Sequence, residues 1–333
     1  MKDKRKLLLM RKFNDDDMVV ITKKLERFYY IEEPKNYESS VVRSAIKEVE
    51  VVMTNEFRAG LMPAASKLRL IQVAGAGTDR VDIKAAEKSG VIVCNSHSNA
   101  IYVAEYGLTM LLTLLKQTHL ADLQMRRNLH MVKSFNQEKL MPRLLGGKTV
   151  GILGFGEIGQ RLATMLMGFD VEILTKRRTR TRLNFVVERV LKVKQVSLRQ
   201  LLIRSDILIV AAPLSEKTRN LIGDKEIKLM KNSSIIVVLS RPNIVNQDSL
   251  FKCLKNNKLA GAALDVWSDK PKIFGEGNGI NFEQLEESGR LLVSPHRAGH
   301  GAGSPHLDDA LENLINFAQN KPLINKVSGE IGY

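Results

Sequence analysis

Three glycines, Gly154, Gly156 and Gly159, stand at GxGxxG spacing between the apolar run TVGIL and the amphipathic stretch EIGQRLATMLM. That context gives the spacing chemical meaning. The first glycine suits a tight turn, the second lets backbone approach a pyrophosphate, and the third closes helix against strand. A helix opening through Phe155, Glu157 and Ile158 offers unbonded N–H groups and the positive end of its dipole to phosphate. About twenty residues on, a dinucleotide site normally places an acid for the ribose 2′-hydroxyl. VEILTKRRTRTR has none there and sets Thr175, Lys176, Arg177 and Arg178 in its place. A guanidinium clamps a phosphate with two parallel hydrogen bonds, so the cluster favours NADP over NAD.

A second stretch, LDVWSDKP, combines Asp265, the only tryptophan Trp267, Asp269 and Lys270 before a proline. Short loops at strand ends are favoured places for reacting groups. The same stretch is also what an ordinary strand end breaking into a surface turn looks like.

These residues need elements to hold them. KLLLM, VEVVMT, LRLIQVAG and VIVCNS read as buried parallel strands. ESSVVRSAIKEV, EFRAGLMPAASK and DIKAAEKSG, each ahead of one of the last three, read as helices. A long helix is expected over about 100–128. A second strand series then follows: TVGILG, VEILT, DILIVAAP, SIIVVLS, AGAALDV and RLLVSP. Alternation of this kind makes an α/β fold with crossover helices. LDDALENLINFAQNKP supplies a last amphipathic helix with a proline stop.

Composition limits the alternatives. The 333 residues suffice for two domains, and 44% hydrophobic with 26% charged residues is ordinary for a soluble globular protein. Two cysteines, Cys94 and Cys253, form no disulfide framework, which fits a reducing, cytoplasmic compartment. The basic start has too short an apolar run for a secretory signal. The most apolar segment, 101–115, contains Glu105, is too short to span a bilayer and reads as a buried helix. Net charge is +15, and residues 176–199 hold nine Lys/Arg against one acid, Glu188. Without interleaved aromatics or a nucleic-acid motif, that patch points to a small anionic ligand rather than nucleic acid.

With the fingerprint in place, LRLIQVAGAGTDRVDIKAAEKSGVIVCNS, VAEYGLTMLL, SDILIVAAPLSEKTRNLI, LMKNSSIIVVLSR, LAGAALDV and VSPHRAG, in this order, resemble the D-isomer-specific 2-hydroxyacid dehydrogenase family. The resemblance runs from about residue 45 to the end. It implies two flavodoxin- and Rossmann-like domains with parallel sheets and an active site in the cleft between them. The substrate-binding domain would be discontinuous, 1–98 and 301–333, around a nucleotide-binding domain at 99–300, with hinges near 96–100 and 299–304. Arg241 matches the arginine that binds the substrate carboxylate and polarises the ketone, and His296 the acid/base histidine. Ala74, Gly75 and Ala76 match the turn whose backbone N–H groups hold the carboxylate. Further cofactor contacts carry over to Ala212, Pro213, Thr218, Leu239, Ser240, Asp265, His296 and Ala298. The family's members are commonly homodimers, with which the apolar 101–115 segment is compatible.

Two departures stand out. Where the family has the glutamate that supports the histidine, directly before the proline, this chain has Lys270. A cation there disfavours imidazolium. Three outcomes follow: Asp269 substitutes for the glutamate, the histidine works alone, or the protein binds nucleotide with weak turnover. Beside Arg241, the usual glycine is Pro242, which pushes the arginine towards extended backbone. The expected activity is hydride transfer between NADP(H), or NAD(H), and a small 2-oxo/D-2-hydroxy acid. Catalytically weakened nucleotide binding, or action on formate or phosphite, are the alternatives. No metal site is expected.

Overall fold

The computed structural model describes residues 4–127, 141–178, 182–267 and 289–329. The chain forms two compact units, Met1–Asn99 with Gly299–Tyr333, and Ala100–Ala298.

In the first unit, β1 (Arg5–Leu9), β2 (Tyr29–Glu32), β3 (Val51–Thr54), β4 (Leu70–Val73) and β5 (Ile92–Cys94) form a parallel sheet of order β2-β1-β3-β4-β5. Successive side chains of a strand face opposite ways, and the core divides accordingly. Leu7, Leu9, Val51 and Met53 meet α1 (Asp15–Leu25) and α11 (Asp308–Ala318) on one face. Leu8, Val52, Ile71 and Val73 pack on the other with residues such as Ile46 and Ala86, which belong to the segment after α2 (Ser39–Ala45) and to α3 (Ile83–Lys88). Asn14 caps α1 by accepting from the Asp17 amide at 2.7 Å. Strand β2, in the run RFYYIE, escapes a reading based on apolar runs because two of its residues are only half-buried at the sheet edge. EFRAGLMPAASK is a 3-10 turn, Ala59–Ala64, not an α-helix, and it contains Pro63.

The second unit carries seven parallel strands in the order β12-β11-β10-β9-β6-β7-β8. They are β6 (Thr149–Leu153), β7 (Glu172–Lys176), β8 (Lys194–Gln195), β9 (Ile207–Val210), β10 (Ile235–Val238), β11 (Gly261–Leu264) and β12 (Leu291–Val293). Five of its helices are α6 (Glu157–Leu166), α7 (Arg182–Val190), α8 (Leu198–Arg204), α9 (Asp224–Ile227) and α10 (Gln247–Lys255). The expected single helix beyond residue 100 breaks at Gln117, whose φ is 57°. It becomes α4 (Ala100–Lys116) and α5 (Thr118–Arg127), and the break is pinned by Gln117 Nε2 donating to Leu114 O and Gly289 O, both at 2.9 Å. Among the described residues no helix is long and apolar enough to cross a membrane.

Candidate active site

The second unit gathers its candidate residues at the carboxyl ends of its strands. The chain starts at β6, builds β7 and β8 on one side, then returns to place β9 on the other. The β6/β9 boundary is therefore the topological switch point, where open α/β sheets bind ligands. Gly154 follows β6 with φ +96°, and a Cβ there would lie 2.5 Å from the Ala212 nitrogen. A Cβ on Gly159 would lie 2.4 Å from the Gly154 oxygen, whereas Gly156 faces open space. Turn, helix closure and open approach fall on the three glycines as a bound pyrophosphate requires. Gly156 caps α6, Glu157 is exposed in its first turn, and Ile158 packs on the core beneath with Phe155. After β9, Ala212 is buried and the Thr218 hydroxyl closes the Pro213 turn by donating to Pro213 O at 2.7 Å.

The basic cluster is less uniform than its composition. Thr175 is fully buried, and its hydroxyl donates to Ile152 O at 3.0 Å, so that side chain is spent within the sheet. Arg177 is buried too. Its guanidinium lies 5.9 Å from the Phe155 ring centroid and pairs with Glu188 of α7 at 2.9 Å, with both side chains under a tenth exposed. Lys176 is half-buried and Arg178 exposed. Glu188 is the residue that composition hid: the single acid of the basic segment holds one of its arginines.

At the other side of the switch point, Val238, Leu264 and Val293 form one level row across β10, β11 and β12. Arg241 and His296 each follow three residues beyond that row. Arg241 has φ −139° and ψ 137°, the extended backbone that Pro242 imposes, and its Nη1 donates to Ser240 O at 3.0 Å. Leu239 is buried beneath, and the Ser240 hydroxyl donates to Val210 O at 3.3 Å. His296 is exposed with φ 55°, a left-handed conformation uncommon for a side chain of its size. Asp265 explains how it is held. Its buried carboxylate accepts from Ser294 Oγ (2.8 Å), Arg297 N (2.9 Å) and Ala298 N (3.1 Å), while the His296 amide donates to Asp265 O at 2.9 Å. Tyr106 of α4 shares a hydroxyl hydrogen bond of 2.8 Å with Ser294. Trp267 packs half-buried against the core. Asp269 and Lys270 lie outside the described residues.

In the first unit, the turn after β4 fixes its carbonyls inward. Ser96 N donates to Gly75 O (3.1 Å) and Asn95 Nδ2 to Ala76 O (2.9 Å). In a trans peptide the N–H points opposite its carbonyl, so the amides of Ala76 and Gly77 point away from β5. The Ala74 amide is committed to Thr54 O at 3.0 Å. Phe57, three residues beyond β3, is fully buried in the core. Among the described residues no cluster of side chains is arranged to hold a metal ion.

Fold and site together define a doubly wound, dinucleotide-binding α/β protein. The sequence model for the D-isomer specific 2-hydroxyacid dehydrogenase NAD-binding domain matches residues 108–298, and the chain belongs to that family. It is similar to the glyoxylate reductase of Thermococcus litoralis, 31% identical over 320 residues that cover 93% of each chain. It is also similar to that of Aeropyrum pernix, 30% identical over 326 residues and 92% of each. Among solved structures it resembles an NADPH-dependent glyoxylate/hydroxypyruvate reductase from Sinorhizobium meliloti in complex with NADP and malonate. There the TM-score is 0.82 and the identity 22%, over 99% of this chain and 98% of that one. The protein is an NAD(P)-dependent oxidoreductase that moves a hydride between a nicotinamide cofactor and a 2-oxo or 2-hydroxy acid.

Proposed function

We propose that the protein reduces glyoxylate or a similarly small 2-oxo acid to the D-2-hydroxy acid, with NADPH preferred over NADH. One observation carries the reading. Arg241 and an Asp265-anchored His296 leave β10 and β12 at one level, on either side of β11, on the sheet whose switch point bears the glycine turn. The nicotinamide, when bound, supplies the hydride. Arg241 binds the carboxylate and polarises the carbonyl with its fork of N–H donors. His296 gives a proton to the forming hydroxylate and takes it back in the reverse direction. Asp265 acts through the loop it anchors, as a positioning residue. The Gly156–Glu157 helix start holds the pyrophosphate, and Lys176 with Arg178 meets the 2′-phosphate beside the Glu188-bound Arg177. Ala76 and Gly77 offer their amides to an anion. The likeness to two archaeal glyoxylate reductases supports glyoxylate. We further propose a cytoplasmic homodimer, in keeping with the two unpaired cysteines.

Initial rates of NADPH and NADH oxidation with glyoxylate, hydroxypyruvate and pyruvate test the proposal, with formate and phosphite beside NADP or NAD as oxidative controls. Turnover faster with NADPH is the expected result. Oxidation of neither cofactor by any 2-oxo acid between pH 5 and about 9 overturns it. Lys270 in the glutamate position favours a second reading, tight NADP binding with slow turnover. Under that reading Lys270→Glu raises kcat at unchanged cofactor affinity.

A further inference from the structure

The first unit has a switch point of its own. Its sheet order β2-β1-β3-β4-β5 means that the chain leaves β1 for β2 and returns past it to β3. Connections of opposite sense part between β1 and β3, and the space beyond their carboxyl ends is where such sheets receive ligands. Leu9, Met53 and Gln72 are level across β1, β3 and β4. Two residues on, Arg11, Asn55 and Ala74 therefore end the three strands side by side.

Arg11 is built in rather than trailing in water. Its Nη1 donates to the Asn55 side-chain oxygen at 2.8 Å, in the amide orientation that also lets Asn55 donate to Thr54 O at 3.1 Å. The guanidinium sits 4.6 Å from the Phe13 ring centroid, and Nε reaches Lys12 O at 3.4 Å. Among the described residues no carboxylate lies within ion-pair distance of it. The acid nearby, Asp17, acts on Arg11 by charge only, against the burial of the guanidinium, and spends its oxygens elsewhere: one accepts a hydrogen bond from Ser304 Oγ, the other lies 3.6 Å from His306 Nε2. His300 adds a ring 6.2 Å from His306. A partly desolvated cation, oriented by a neutral amide and an aromatic face and with no carboxylate directly paired to it among the described residues, is ready to take one.

We infer that Arg11, presented by Asn55, binds a second carboxylate on the substrate, so that the protein selects short 2-oxo dicarboxylic acids over monocarboxylic ones. The inference rests on the reductase reading above and shifts its preferred substrate from glyoxylate to a short 2-oxo dicarboxylate, with glyoxylate turned over more slowly. Adjacent strands are spaced about 4.8 Å, so Arg11 begins about 10 Å from the Ala74 row and reaches back over Asn55. A first carboxylate on the Ala76 and Gly77 amides leaves a gap that a short dicarboxylate fills. One planar fork beside one amide matches a carboxylate; a phosphate collects more cations.

The test compares kcat/KM for oxaloacetate and 2-oxoglutarate with 2-oxobutyrate and 2-oxovalerate, monocarboxylates of the same chain length that lack the second carboxylate, and includes phosphohydroxypyruvate. In the wild type the dicarboxylates are preferred at least tenfold. Arg11→Gln erases that preference, chiefly through KM, while Arg11→Lys and Asn55→Ala retain part of it. Equal ratios in wild type and Arg11→Gln, or a preference confined to the phosphate ester, overturn the inference. The same ligands are followed by thermal shift and calorimetry. If no 2-oxo acid is reduced, the reductase reading fails by itself, and binding of dicarboxylates that is lost in Arg11→Gln still decides the role of Arg11.

Discussion

Asp265 carries more of the proposed chemistry than its burial suggests, because three donors of the His296 loop converge on its two oxygens. Asp265→Ala leaves those donors facing an empty corner and frees a histidine held at φ 55°. We expect kcat to fall on the order of 10²-fold or more, as for loss of a positioned acid–base group. The KM for cofactor should change little; stopped-flow turnover with a nucleotide titration checks both. Arg177 and Glu188 make a different prediction. Removing one partner of a buried ion pair leaves an uncompensated charge, typically costing about 3–5 kcal/mol, whereas replacing both with apolar side chains is often neutral. Glu188→Gln is therefore expected to lower stability in urea clearly more than the double change Arg177→Met with Glu188→Leu. The glycine spacing and the basic cluster were both legible in the chain, but not which arginine was already bonded. That depended on a helix returning over β7, a contact between positions eleven apart in sequence.

At the scale of elements, the glycine turn and the α1 anchor invite tests. Gly154→Ala forces a side chain into a positive φ and against the Ala212 backbone, which cannot give way as a flexible side chain tip would. Loss of nucleotide binding together with a lower melting temperature is expected, seen by fluorescence titration and thermal melting. Asp17 joins the first turn of α1 to Ser304 and His306, ahead of α11. Burial is the main cause that lowers the His306 pKa; Arg11 and His300 push the same way, against Asp17 and Asp308. The folded state then binds this proton less readily than the unfolded chain. Stability is fully present above the unfolded value near 6.5 and is lost as pH falls below it. Melting temperatures between pH 8 and 5 should show that loss, reduced in His306→Asn. Neither the break at Gln117 nor strand β2 was legible, since each is decided by partners distant in sequence or by a place at the sheet edge.

For the whole molecule, both cysteines are buried and unpaired. Burial pushes the Cys94 thiol up to about 12 and raises that of Cys253 as well. Thiolate is the reactive form, so labelling by a thiol reagent at pH 8 should await opening of the surrounding unit. Labelling of Cys94 should be slow in the native protein and immediate in denaturant, as mass spectrometry over time would show.

Local pattern alone specified the two parallel α/β series, the dinucleotide turn and the order of motifs that marks the family. Strand alternation, glycine spacing and turn residues act over a few positions, so they are written in adjacent letters. Tertiary structure decided what those letters are bonded to. It buried Thr175 and Phe57, gave Arg177 to Glu188, wrapped the His296 loop around Asp265, and set Arg11 beside Asn55. Each of these joins segments brought together by sheet order, and sheet order is fixed by the burial of whole faces rather than by any neighbour in the chain.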